Sequence, residues 1–351
     1  KYFADKLSKC TKLEYLTDTS GAVIYPGIES MYVTSGHFPP PMPTLKELTL
    51  DPAPEYIPSN INLFSSLKSL NIPRGWRWRL DLDIPATLYQ LSDLEALYIW
   101  TNHVSDSIRF LKRLKHLSIH MSRPNINPIS DSIQNLVQLE SLLLHQEESG
   151  IYSLPSSIYA LRSLKTLDLK HYALSDSIRF LKELRVLTIT SPHRTLAKLP
   201  DSLVALKKLQ SLDLSYSYMP EDKYPEQMYQ LKNLQRLDLG YEGIYRERRK
   251  LLMNVRKLKK LKKLSYLEFN ILAIKNEIHY RRLYNALPEN CEVKLHGGFE
   301  GKTPYSGANF GIYTEYGWGQ AAFTGIELLY YINAEYADSF VKKGKRFKKT
   351  I

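Results

Sequence analysis

The spacing Leu-x-x-Leu-x-Leu/Ile constrains this chain more than any other feature. It occurs at Leu45-Leu48-Leu50, Leu67-Leu70-Ile72, Leu94-Leu97-Ile99, Leu114-Leu117-Ile119 and Leu139-Leu142-Leu144. It continues at Leu164-Leu167-Leu169, Leu184-Leu187-Ile189, Leu209-Leu212-Leu214, Leu234-Leu237-Leu239 and Leu264-Leu267-Phe269. The first leucines are 22, 27, 20, 25, 25, 20, 25, 25 and 30 residues apart. An apolar ladder of period three leads into each motif, as in Leu154-Pro155-x-x-Ile158-x-x-Leu161-x-x-Leu164 and Leu199-Pro200-x-x-Leu203-x-x-Leu206-x-x-Leu209.

The alternating leucines predict a short strand with one buried face. The period-three ladder predicts a 3₁₀ or short α turn on the return path. One such unit cannot bury its apolar face alone, so successive units must stack. The predicted fold is an α/β solenoid with a parallel sheet on its concave side and 3₁₀ or α turns on its convex side. It is expected to span residues 1–295. Residues 17–44 are irregular, 240–270 form a long basic repeat, and 287–295 carry the closing strand. Residues 296–351, rich in glycine and aromatics, are expected to be a C-terminal cap or tail.

These motifs resemble the leucine-rich-repeat family, in the Leu-Pro-x-x-Ile-x-x-Leu-x-x-Leu form found in intracellular plant and many bacterial repeat proteins. The resemblance covers roughly residues 3–295 and implies a horseshoe. Members usually carry Asn three places after the last strand leucine, and only Asn102 keeps it. Glu147, Tyr172, Ser217 and Glu242 stand there instead, which bears on the regularity of the curvature and not on the fold. A longer repeat overlies the short one. Asp-Ser-Ile-Arg-Phe-Leu-Lys occurs at 106–112 and again at 176–182, as if a three-repeat block had been duplicated.

In each strand the residues flanking the leucines should face the concave side. That face then carries Tyr98, Trp100 and Thr101, then His116, His120 and Met121, then Leu143, His145 and Gln146. Asp168, Lys170 and His171 come next, followed by Asp213 with Tyr216 and Asp238 with Tyr241. Trp100, His120, His145 and Lys170 fall in one column, and Asp168, Asp213 and Asp238 in another. Exposed aromatics on a rigid sheet are typical interface anchors. Binding through His120 or His145 should change between about pH 5.5 and 7.5.

Catalytic signatures are missing from the sequence: no Gly-x-Ser-x-Gly, His-Glu-x-x-His or Cys-x-x-Cys occurs. Gly297–Thr303 imitates a phosphate loop, but His296 stands where its first glycine belongs and Pro304 blocks the following helix. His120 and His145 could share a metal ion, but no third ligand accompanies them. The chain is therefore read as a non-catalytic module binding a protein or peptide on its concave face, without cofactor or metal. The alternatives are the recognition part of a larger effector, enzyme or receptor, and a bacterial envelope protein.

The net charge of +12 is concentrated in the C-terminal third. Residues 242–263 hold Arg246, Arg248, Arg249, Lys250, Arg256, Lys257, Lys259, Lys260, Lys262 and Lys263 against two glutamates. The tail adds Lys342, Lys343, Lys345, Arg346, Lys348 and Lys349. Leu251, Leu252, Val255, Leu258, Leu261 and Leu264 run through the first patch at helical spacing, predicting a basic amphipathic helix whose charged face is read as solvated, with contact to an acidic surface as the functional alternative. No aromatics interleave with these charges, so nucleic acid is disfavoured, while anionic lipid stays open. Cys10 and Cys291 sit in apolar slots far apart and are read as core thiols. The sequence lacks an Asn-x-Ser/Thr sequon, which favours an intracellular setting over a secreted eukaryotic one, with a bacterial envelope as the alternative.

Overall fold

A computed structural model describes residues 12–16, 29–33, 41–50, 56–72, 82–122, 129–147, 150–191, 198–217, 224–239, 254–270, 282–283, 285–288, 291–296 and 321–323. They fall into two compact units, Lys1–Tyr172 with Phe180–Leu184, and Ala173–Arg179 with Arg185–Ile351.

In the first unit every Leu-x-x-Leu-x-Leu motif becomes a strand. Its strands are β1 (Lys12–Leu16), β2 (Ser30–Val33), β3 (Glu47–Leu50), β4 (Ser69–Asn71) and β5 (Ala96–Trp100). They continue with β6 (His116–Met121), β7 (Ser141–Gln146) and β9 (Thr166–Lys170), each hydrogen-bonded in parallel to the one before. Two-residue strands β8 (Tyr152–Ser153) and β10 (Tyr172–Ala173) lie outside that sheet and had no signal in the repeat pattern. On the buried face apolar residues pair with apolar residues, as in Leu117, Leu142 and Leu167 on β6, β7 and β9. These side chains are at most 2% exposed.

The period-three ladder owes its form to 3₁₀ hydrogen bonding. Ile108 N–H donates to Ser105 O, Leu111 N–H to Ile108 O and Leu114 N–H to Leu111 O, each at 3.1 Å. Ile108 and Leu111 are thus each both donor and acceptor of an i to i+3 bond, and their side chains return to the same face. The residue before each turn sets its start. Pro85, Pro155, Pro200 and Pro225 do so through a fixed φ, observed between −54° and −68°. Where serine replaces proline, its hydroxyl caps the turn: Ser105 Oγ accepts from Ser107 N–H at 3.3 Å, and Ser130 Oγ from Ser132 N–H at 3.0 Å.

The second unit repeats the plan. Its strands β11 (Val186–Thr190), β12 (Ser211–Asp213), β13 (Arg236–Leu239), β14 (Tyr266–Asn270) and β15 (Glu292–His296) pair in parallel in that order. The last, β16 (Ala321–Phe323), pairs antiparallel with β15. The asparagine position of the turn is filled here by Ser217, 2% exposed. Its Oγ accepts from Ser191 N–H at 2.7 Å and donates to Ser215 O at 3.2 Å. A hydroxyl can therefore satisfy the turn backbone in place of the amide.

Of the predicted basic helix, the described residues show α1 (Val255–Leu258), after which Leu261 and Leu264 follow the ordinary three-residue ladder into the core. Arg246, Arg248, Arg249, Lys250, Leu251 and Leu252 lie outside the described residues, as do Cys10, Tyr241 and the tail beyond 321–323. Cys291 is a free thiol only partly buried, not a full core residue. Among the described residues no helix is long and apolar enough to cross a membrane.

Candidate functional site

The open face of the first unit's sheet, opposite the leucines, brings the sequence-predicted column together. Register places Trp100 beside His120, His120 beside His145, and His145 beside Lys170. One step along the strands, Tyr98, Ser118, Leu143 and Asp168 form a second row. His116 stands at the start of β6, exposed and in register with Ala96 and Ser141.

The rings are packed against one another and do not project singly into solvent. Trp100 and His120 stack with centroids 4.6 Å apart and planes 15° from parallel. His145 meets His120 edge-on, at 4.9 Å and 80°. His145 Nε2 is 3.0 Å from Asp168 Oδ1, and Lys170 Nζ donates to Glu147 Oε1 at 3.0 Å. Trp100 is consequently half-covered, while Tyr98 keeps 38% of its surface exposed. The result is a packed aromatic surface bordered by the His145–Asp168 contact and the Lys170–Glu147 ion pair. The sequence showed Glu147 only as filling the asparagine position of the turn, because it lies beyond the strand pattern.

His120 sits between the other two rings with its Nδ1 buried and without a hydrogen-bond partner. Burial, reinforced by the neighbouring His145, pushes its pKa down from 6.5 to about 4. His120 therefore titrates below the pH 5.5–7.5 window expected of a free histidine. The unfolded chain binds this proton near pH 6.5, and the folded chain only near pH 4. Stability is thus greatest above pH 6.5 and is lost as the pH falls towards 4. We expect about 2 kcal/mol of acid-linked loss after discounting for solvent screening. His120→Phe should flatten this dependence while keeping the ring stack, as read by denaturant unfolding across that pH range.

Residues one place further along leave the open face. Thr101, Met121, Gln146 and His171 are all buried, at 4% exposure or less. They were expected on the face, but each stands two places after a buried strand residue, Ile99, Ile119, Leu144 or Leu169, and continues that inward series. His171 takes a left-handed φ of 67° there, which re-aims its side chain. Gln146 Nε2 donates to Tyr172 Oη at 2.7 Å, tying β7 to the next turn from inside. Tyr216, at φ 55°, is 50% exposed but belongs to the turn after β12 and not to the strand face.

The acidic residues are engaged within the chain. Asp168 holds His145, and Asp213 Oδ1 accepts from Ser215 N–H at 2.8 Å. In the second unit Asp238 and Glu268 are in register on β13 and β14. They are only 7% and 5% exposed. Arg236 reaches Asp238 at 3.1 Å and Glu268 at 3.4 Å, and its guanidinium lies 3.8 Å over the Tyr266 ring centroid. Tyr266 donates its hydroxyl to Glu268, and burial together with that carboxylate raises its pKa above the usual phenol range. Glu268, Arg236 and Tyr266 were not among the residues singled out. Glu268 occupies the same place in its strand motif as Asp238, so counting along the repeats reaches it. Among the described residues no group of three His, Cys, Asp or Glu is placed to hold a metal ion.

Comparison with known proteins gives one family and several similar folds. No curated protein matches the sequence. Among solved structures, the plant peptide hormone receptor RGFR1, in complex with RGF2, is 16% identical over 77% of this chain, with a TM-score of 0.46. This chain spans 55% of that receptor's length. An internalin of Listeria monocytogenes is also 16% identical with a TM-score of 0.46, over 83% of this chain and 82% of its own. A leucine-rich-repeat protein of Leptospira interrogans is 18% identical over 83% of this chain and 97% of its own, with a TM-score of 0.33. The family model described as a leucine-rich repeat region matches residues 126–291, the stretch that builds β7 to β14, and those residues are a leucine-rich-repeat region.

Proposed function

We propose that this chain is a non-catalytic interaction module that binds a protein or peptide on the concave face of its first unit. Stacked repeats present extended surfaces whose side chains are fixed by the sheet, which is the general use of this architecture. The single observation that supports the site is the packed Trp100, His120 and His145 surface, bordered by Tyr98, Leu143 and the Lys170–Glu147 pair. Its rings are already held in place, so little side-chain entropy is lost on binding. The Lys170–Glu147 pair at one end would orient a partner, and the aromatic end would supply buried area.

The test is partner affinity for the native chain and for Trp100→Ala. Loss of about 2 kcal/mol, roughly thirtyfold in affinity, is expected if the indole is an anchor. Because the ring stacks on His120, the fold should lose only about 1 kcal/mol. Unchanged affinity would place the partner elsewhere on the molecule.

A further inference from the structure

A different surface of the second unit carries a concentration of positive charge that the repeat pattern itself isolates. In the first unit the residue just after the first leucine of each strand motif is charged, and lysines there pair with glutamates of the preceding repeat. Lys46 pairs with Glu29 at 2.6 Å, Lys115 with Glu95 at 2.7 Å, and Lys165 with Glu140 at 2.7 Å. Two residues earlier in the repeat, Arg113 pairs with Asp93 at 2.7 Å. In the second unit the same positions read Arg185, Gln210, Gln235 and Ser265, so amides and a hydroxyl replace the carboxylates. The earlier positions keep their cations, at Lys207, Lys208, Lys232 and Lys263.

These side chains line two adjoining grooves, each of about 250 Å³, that share Lys207 and Asn233. Arg185, Lys207, Lys232 and Lys263 contribute one cation from each of four successive repeats, and no carboxylate is among the lining residues. Asn233 holds the arrangement. Its Nδ2 donates to Lys207 O in the preceding repeat at 2.8 Å, and its Oδ1 accepts from Lys263 Nζ in the following repeat at 2.7 Å. Lys207 Nζ is fixed in turn on Val204 O at 2.8 Å. Like charges held side by side on a rigid edge repel, and a multivalent anion relieves that cost. The repeat step of roughly 5 Å matches the spread of oxygens on a compact phosphorylated group. The lining amides add neutral donors.

We propose that this groove binds a compact, multiply charged oxyanion of the phosphate-ester class. The site is separate from the aromatic face proposed above and does not depend on it.

The test is titration calorimetry of the full chain with sodium tripolyphosphate. One equivalent should bind, with affinity falling steeply as salt screens the cations. Lys207→Gln with Lys263→Gln should weaken it about tenfold or more. Lys115→Gln with Lys165→Gln, which alters paired lysines of the first unit, should change it by less than about twofold. Circular dichroism checks that both variants keep the native fold. A second arm uses phosphatidylcholine vesicles with and without phosphatidylinositol bisphosphate. Vesicle binding that tripolyphosphate competes away would assign the phosphate to a lipid headgroup. Tripolyphosphate binding without vesicle binding would assign it to a soluble ligand. Three results would overturn the proposal: no binding of tripolyphosphate, equal losses in the two double variants, or several weak equivalents insensitive to both.

Discussion

Leu142→Ala is expected to destabilise the first unit by about 2–5 kcal/mol, while Leu143→Ala, one residue along, should cost less than about 1 kcal/mol. Leu142 is fully buried, with Leu117 and Leu167 in register on either side. The sheet holds those neighbours roughly 5 Å away on each side, so the cavity left by three lost carbons cannot collapse. Leu143 is only partly buried on the open face. Since repeat arrays need not unfold in one step, amide hydrogen exchange of β6, β7 and β9 is the appropriate measurement, alongside denaturant melts. Equal effects at the two positions would mean that the two faces of β7 have been exchanged.

Arg236→Met should be almost as damaging, at about 2–4 kcal/mol, although its own side chain is 45% exposed. The reason lies with its partners. The carboxyl side chains of Asp238 and Glu268 are only 10% and 6% exposed, and the guanidinium bridges both from above the Tyr266 ring. Removing the cation leaves two desolvated like charges in register on neighbouring strands. Adding Glu268→Gln should recover a large part of the loss, because the repulsion disappears while the amide can still accept from Tyr266. Denaturant unfolding of the single and double variants measures the coupling. Additive losses would show that Arg236 contributes packing on Tyr266 and little electrostatic compensation.

The repeat pattern carries a great deal of this protein within the sequence alone. Leucines at fixed spacing decide which face of each strand is buried, since a one-residue slip would expose every one of them. That also sets the register, and with it the alignment of Trp100, His120, His145 and Lys170. The ladder of Ile108, Leu111 and Leu114 likewise announces its own i to i+3 bonding. What the side chains do to one another could not be read the same way. Whether Trp100 stands free or lies on His120 depends on rotamers selected by packing between repeats 20 residues apart. Strand alternation, by contrast, carries further than the repeat motif: Met121 and Gln146 stand two places after Ile119 and Leu144 and continue the buried series to the strand ends. The exchange of carboxylates for Gln210 and Gln235 is plain in the sequence, but its consequence is not. Only the stacked turns bring Lys207, Asn233 and Lys263 together, because cross-repeat hydrogen bonds form between residues separated by a full repeat in the chain.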